Sequence, residues 1–447
     1  MADNLMARGK FMRVSSITSV LFVTCTMFLG SRGAQADCRV SSGTVITNTN
    51  WHQYVDCFSA GVTVLWQKDE FWRMPDDAEI HVGDQHSWTL PKPFFEATEK
   101  YGDQSRLVKQ SNGRYKLENY VAGLPFAHPS GPKRGTEIAA NITYRMQGYL
   151  QAWSDDMGNA STIYTKDRFG NWSGTVEDVV YRQLAYNWES DQGFPQIEPG
   201  ANGAWFTEWV MIEKPEQSKY TTVLTLFWQD NLKDEDDYIF VPTLRRSLRL
   251  SSTARCSPFL GSDMVKDDQR QGWNGGVGKF DADFIGEQKL LTLVTLNGKA
   301  AGNFPDEYVG TLGWPKPSWG EWETRDVNVI GIHRVPTLAK GYCYGKRVIY
   351  ADKQYYSPLA EDIYDSNLRL WKIVWISLEP NELDNYGEQM NVGGFAYMFW
   401  DIQNDHASYV TNFNTSGAPI LWDSKVPPKY NDIPRFSTPG GLMQIMR

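Results

Sequence analysis

The strongest constraint on this chain is a long succession of short β-branched and aromatic runs separated by turn residues. Residues 204–212, 220–229, 238–244, 289–296, 327–333, 346–351, 370–378 and 395–400 are each dominated by Val, Ile, Thr, Tyr, Phe or Trp. Such runs favour extended strands over buried helix. Eighteen Trp, 22 Tyr and 21 Phe supply rigid side chains of large area that suit a pleated surface. Asn297-Gly298 closes one run with a hairpin-type turn. Three stretches read as helical. Residues 91–101 carry Phe94, Phe95, Thr98 and Tyr101 along one side, and 137–150 carry Ile138, Ile142, Met146 and Tyr149 on one stripe. Residues 176–186 are the third, an ambiguous one. No linker, repeat or low-complexity tract divides the chain. The expected fold is mainly β, of the α+β class: one large, strongly curved antiparallel sheet carrying a few helices, rather than alternating βαβ units.

The N-terminus predicts export. Arg8, Lys10 and Arg13 precede an apolar stretch from Ile17 to Leu29, and Ala34-Gln35-Ala36 follows. That order is the mark of a secretory signal peptide, placed at residues 1–36 with cleavage after Ala36. Residues 37–447 then form a single domain in the periplasm. A lipoprotein signal ending at Cys25 is the alternative, but Phe22-Val23-Thr24 is a poor lead for it. The apolar stretch is short for a membrane helix, and 22% charged residues exclude a multi-span membrane protein. A formal charge of −9 gives a nucleic-acid partner little support.

Cys38, Cys57, Cys256 and Cys343 remain beyond the signal, an even number in an oxidising compartment. They allow three pairings. Cys38 with Cys57 and Cys256 with Cys343 is preferred, since the first pair is local and the second lies in one half of the chain. A metal role is weaker, because no CxxC occurs and no His stands beside the cysteines.

No motif demands catalysis, and no cofactor is expected. A GxSxG elbow is absent, and Gly275-Gly276-Val277-Gly278 reads as turn glycine. His52, His81, His86, His128 and His333 are scattered. The acidic run Asp234 to Asp237, with Asp263, Asp267 and Asp268 beyond it, does not match a calcium loop. Its plainer role is to offset Arg245, Arg246 and Arg249. Asp401 and Asp405 would share one face if their segment were helical, whereas a strand end turning into a loop would place them there anyway. The aromatic content also has two readings. It is ordinary filling for a large β domain, or the lining of a curved sheet that holds an apolar ligand.

Several stretches together resemble a bacterial family known as domain of unknown function 1329. They are Gly123-Leu124-Pro125-Phe126-Ala127 with residues 138–141, then Tyr238-Ile239-Phe240-Val241-Pro242-Thr243-Leu244-Arg245-Arg246-Ser247-Leu248-Arg249 followed by Asp267-Asp268. Residues 346–352, 362–372 and 401–406 continue the match, which spans about 120–410 in the family's order. The resemblance implies an exported protein of Gram-negative bacteria related to outer-membrane lipoprotein-sorting carriers of the LolA/LolB type. It implies an unclosed antiparallel half-barrel whose apolar concave face, covered by helices, holds acyl chains. It further implies membrane exporters or outer-membrane proteins as partners. No catalytic residue comes with it, and the chain is about twice the length of the smaller carriers.

The function expected is therefore a non-catalytic periplasmic carrier for a lipid or other hydrophobic molecule. The alternative is a secreted glycan hydrolase using two carboxylates across a cleft. An outer-membrane barrel fits poorly, because its strands should be near ten residues. Arg245 and Arg246 are the candidate ligand-binding residues. They are expected on one strand, with one arginine facing inward against a carboxylate and the other facing solvent.

Overall fold

The computed structural model describes residues 38–446 except 190–192, 251–254, 297–308, 391–394, 412–420 and 423–424. The signal-peptide expectation and the Asn297-Gly298 turn lie outside the described residues. Among the described helices, none is long and apolar enough to cross a membrane.

One fifteen-stranded sheet dominates. A short strand β1 (Leu150–Trp153) leads into a meander of β2 (Ser161–Asp167), β3 (Trp172–Gln183), β4 (Ala204–Lys214), β5 (Thr222–Trp228), β6 (Asp236–Val241) and β7 (Arg246–Arg249). A second meander follows: β8 (Phe280–Leu296), β9 (Gly320–Arg334), β10 (Lys346–Asp352), β11 (Pro358–Tyr364), β12 (Leu370–Leu378), β13 (Phe395–Asp401) and β14 (His406–Thr411). Strand β15 (Leu421–Trp422) pairs with β1, which also pairs with β3. All ladders of this sheet are antiparallel.

The meanders meet where β2 pairs with β14. That junction leaves β7 at one rim and β8 at the other, so the sheet is not closed into a barrel. It also sets the course of the chain between them. The path holds thirteen strands, which at about 4.8 Å each would span on the order of 60 Å if flat. The connection from β7 to β8 must pass from one rim to the other, and its residues 255–279 lie over one face of the sheet.

Cross-strand partners lie on the same face and alternate residues on opposite faces. The registers therefore put Ile349, Glu361, Val374, Phe399, Ser408, Thr165, Val179, Val210 and Val223 on the crossover face. Residues 255–279 cover it together with helix α3 (Arg134–Thr143), which follows α1 (Ala60–Gln67) and α2 (Lys92–Tyr101) in the chain. Ile138 and Ile142 of α3, with Met264, Val265 and Trp273 of the crossover, share one buried cluster with Ile349, Val374 and Phe399. Gly135 sits so close to β8 that a Cβ there would lie 2.3 Å from the Ala282 carbonyl, so only glycine allows this approach.

The opposite face is covered by helix α1 (Ala60–Gln67) and by residues 426–442. Buried Asp362 of β11 anchors the N-terminus of α1, accepting from Ser59 Oγ and Gly61 N at 3.0 Å each and from Tyr350 Oη at 3.1 Å. Most of the indole content goes into packing here. Trp322 of β9 stacks on Trp375 of β12 with ring centroids 4.4 Å apart, and Trp314 stacks on both and on Trp400. Because β9 and β12 are not neighbours, the contact requires the sheet to bend strongly. Aromatic residues here are core filling, not the lining of a ligand chamber.

Other expectations need correction. Residues 176–183 are strand, within β3, and 184–186 lie beyond its end. The helix read at 137–150 is shorter and starts earlier, since α3 ends at Thr143 and Leu150 opens β1. Residues 242–244 leave the expected strand and form a single 3₁₀ turn.

Candidate functional site

At the β7 rim the crossover face holds a cavity of about 330 Å³. Its floor is set by alternation: Glu208 and Val210 of β4, Val223 and Thr225 of β5, and Asp237 of β6 all point to this side. Its roof is the first part of the crossover, where Pro258, Phe259 and Leu260 supply apolar surface and Arg255 and Lys266 supply charge. Leu250, at the end of β7, forms part of the wall and is 39% exposed. The volume falls at the low end of the range typical of small-molecule sites.

The polar wall is organised. Thr225 Oγ1 donates to Asp237 Oδ1 at 2.7 Å, and Lys266 forms an ion pair with the same oxygen. Lys266 Nζ lies 3.2 Å from Thr225 Oγ1. Burial pulls the Lys266 ammonium below its ordinary range, while Glu208 opposes that shift. The Glu208 carboxyl is pushed up to about 7 by burial, against the pull of Arg270.

The roof is held by charge as well as by apolar contact. Arg255 pairs with Glu235 and Asp267, and Lys279 pairs with Glu235. Arg347 of β10 pairs with Asp268 of the crossover and, at 2.9 Å, with Glu361 of β11. Tyr342 and Tyr344 donate to Asp267 and Asp268 at 2.7 and 2.8 Å. Burial alone would push Asp267 up, but Arg255 and Arg334 hold it below the usual carboxylate range. Cys256, beside Arg255, is joined to Cys343. Cys38 is joined to Cys57 near α1.

This arrangement departs from an apolar concave face. The middle of the crossover face carries buried Arg347, Glu361 and Lys372, all engaged. Apolar free space is concentrated at the β4–β6 end.

Arg245 and Arg246 are not in this site. Both are exposed, Arg245 in a left-handed conformation (φ 48°) after the 3₁₀ turn and Arg246 at the start of β7. Neither faces inward, because the turn interrupts the alternation that would have buried one of them. Of that cluster Arg249 pairs with Asp236, while Glu235 and Asp237 of the acidic run serve the roof instead. Asp401 closes the β13–β14 turn, accepting from Asn404 and from Trp371 Nε1 at 2.9 Å. It shares no helix with Asp405, which pairs with Arg168. His406 binds Asp263 of the crossover at 2.7 Å, which raises its pKa. Among the described residues, no group of His, Cys, Asp or Glu is placed to hold a metal ion.

The cavity residues Glu208, Val210, Val223 and Thr225 fall in runs that the sequence marks as strands. Alternation alone would have placed them in two sets. Which set faces a cavity depends on the crossover, whose path no local signal announces.

Comparison with known proteins gives one family match: the model described as "Protein of unknown function (DUF1329)" covers residues 45–440. No curated protein matches. Among solved structures, one described as an outer-membrane lipoprotein-sorting protein domain from Vibrio parahaemolyticus is 16% identical. That match covers 67% of this chain and 97% of the other, with a TM-score of 0.44. A DUF1329 family protein from Desulfovibrio piger is 12% identical over 69% of this chain and 100% of its own, also at 0.44. A LolA superfamily protein from Nitrosomonas europaea is 13% identical over 66% and 94%, at 0.36. These are likenesses alone, and no role passes from them to this chain.

Proposed function

The chain belongs to the DUF1329 family of proteins of unknown function, and on that premise we propose that it is a non-catalytic carrier for a hydrophobic molecule, with the β4–β6 cavity as its binding site. One observation carries the reading: an unfilled volume of about 330 Å³ under Phe259 and Leu260, floored by Val210 and Val223. Each CH₂ group moved from water into such a space contributes about 0.8 kcal/mol, so a short acyl segment binds without a covalent bond. Glu208, Asp237 and Lys266 supply polar groups for the ligand's other end. Two disulfides suit an oxidising compartment. With the leader at residues 1–36, they support a periplasmic location and a single domain from residue 37. A membrane exporter or an outer-membrane protein would then be donor or acceptor of the cargo.

Native mass spectrometry of protein purified without detergent tests this reading. The expected result is a retained adduct, or uptake of an added fatty acid or phospholipid at one per chain. Protein that stays ligand-free under both conditions would rule the carrier out.

A glycan hydrolase has one observation in its favour. Glu208 and Asp237 share a face and flank Thr225 of the intervening strand, and burial raises the Glu208 carboxyl to about 7, as a general acid requires. Against it, Asp237 is occupied by Lys266 and Thr225. Glycan cleavage that disappears in Glu208→Gln would bring this reading to the front.

A further inference from the structure

A second, narrow space lies beside the end of α3 and against Arg270 of the crossover. Its volume is only about 30 Å³, and Arg145, Arg182 and Arg270 all line it, with Tyr144, Tyr181 and Trp205. Three buried guanidiniums around so small a space need an explanation, because a buried charge without a partner is strongly unfavourable.

Arg182 has one in part, since Glu198 lies 3.7 Å away. Arg270 donates to Gln147 Oε1 at 2.6 Å and lies 4.2 Å from the centre of the Phe206 ring. Arg145 is 3% exposed and has less. It donates to two backbone carbonyls, those of Ile142 (2.7 Å) and Arg270, and forms no ion pair among the described residues. The Nε–H groups of both Arg145 and Arg270 are buried without a hydrogen-bond partner. Glu361, the carboxyl whose field reaches Arg145, is already paired with Arg347 and pushed up to about 8 by burial. Glu208, which acts on Arg270, is likewise driven toward its neutral form. Three guanidiniums thus line one small space, and no carboxylate is among the residues that line it.

We propose that this pocket binds a compact monovalent anion, either a halide ion or a carboxylate group, between Arg145 and Arg270. The space holds about two water-sized bodies, which suits those groups and is tight for a phosphate. The aromatic walls do not select an anion themselves, but their faces stabilise the Arg270 cation that meets it. The proposal is independent of the carrier reading, since the pocket lies outside the cavity's lining.

Diffraction from crystals of the protein soaked in bromide, at the bromine absorption edge, gives the first test. An anomalous peak between Arg145 and Arg270 is expected, and an empty pocket overturns the proposal whatever else is found. The second test is the melting temperature in gluconate buffer as bromide or acetate is added. A saturable rise is expected in the wild type and none in Arg145→Met. An equal rise in that variant places the effect elsewhere and overturns the assignment. Should Arg145→Met fail to fold, the bromide map and Arg270→Met carry the decision. Competition separates the two sources of a carboxylate. Acetate and decanoate displacing bromide at similar concentrations indicate a free small anion. Decanoate acting at a hundredfold lower concentration indicates the end of a bound acyl chain.

Discussion

Lys266, on the roof of the larger cavity, forms an ion pair with Asp237, on its floor. The pair ties the crossover to β6 across the space that a ligand would occupy, and both side chains are largely shielded, at 14% and 12% exposure. Replacing Lys266 by Met removes the tie while keeping the aliphatic stem. Partial shielding puts the expected loss at about 1–3 kcal/mol, between a surface pair and a fully buried one. Release of a fluorescent fatty acid should quicken at least severalfold in Lys266→Met, measured by stopped flow. An unchanged release rate with an unchanged melting temperature would show that the pair does not hold the roof.

The arginines differ sharply in what they support. Arg347 is 3% exposed and serves Asp268 and Glu361 together, so Arg347→Met leaves two buried carboxylates short of a partner. A loss of about 3–5 kcal/mol is expected. Arg245→Met and Arg246→Met, on the exposed turn and strand start, should each stay within about 0.5 kcal/mol. Urea denaturation of the three variants checks the contrast, and a cost at Arg246 comparable to that at Arg347 would contradict the placement of both.

Glu177 sets a pH dependence of known sign. It is 3% exposed, its described hydrogen bond is from Thr175 Oγ1 at 2.9 Å, and burial pushes its carboxyl up to about 8. The folded state therefore binds a proton that the unfolded chain releases near pH 4.5, and stability from this group falls as pH rises from there through 8. Glu177→Gln should be nearly neutral at pH 4 and stabilising by roughly a few kcal/mol at pH 8.5. Thermal melts across that range test it. A benefit that is largest at low pH would reverse the sign and refute the burial argument.

The bridge between Cys256 and Cys343 joins residues 87 apart in sequence, at the start of the roof. Closing a loop of that length restricts the unfolded chain, and Cys256→Ser with Cys343→Ser should cost about 2–4 kcal/mol. Hydrogen exchange should rise first in residues 255–269. Exchange that rises instead around α1 would mean that the bridge does not secure the roof.

Much of the sheet was legible because β-branched and aromatic runs report pleated, half-buried positions directly. Residues 370–378 coincide with β12, and 204–212, 346–351 and 395–400 fall within their strands. The first half of β8 was missed. Its Asp281, Asp283 and Glu287 alternate with buried or packing residues, so the segment lacks the apolar density of the others. The site was far less legible. Lys266 meets Asp237 only because β2 pairs with β14 and sends the β7–β8 connection over one face, a long-range outcome of strand order. Arg245 and Arg246 misled for a local reason. Extending the strand pattern through Pro242 ignores a turn that puts Arg245 at φ 48°.

A sheet that never closes has two margins where a stray extended chain could add itself by main-chain pairing. Both ends of the main strand path discourage such growth. Strand β7 runs only from Arg246 to Arg249, with a cation at each end. Strand β8 is long, but its register slips near Phe284 and again near Leu293, and Asp281, Asp283, Glu287 and Lys289 stud its length. Short length, bulges and charge are the devices by which open sheets avoid aggregation. Edges of this kind let the sheet stay open, with a cavity at its margin, while discouraging main-chain pairing between copies.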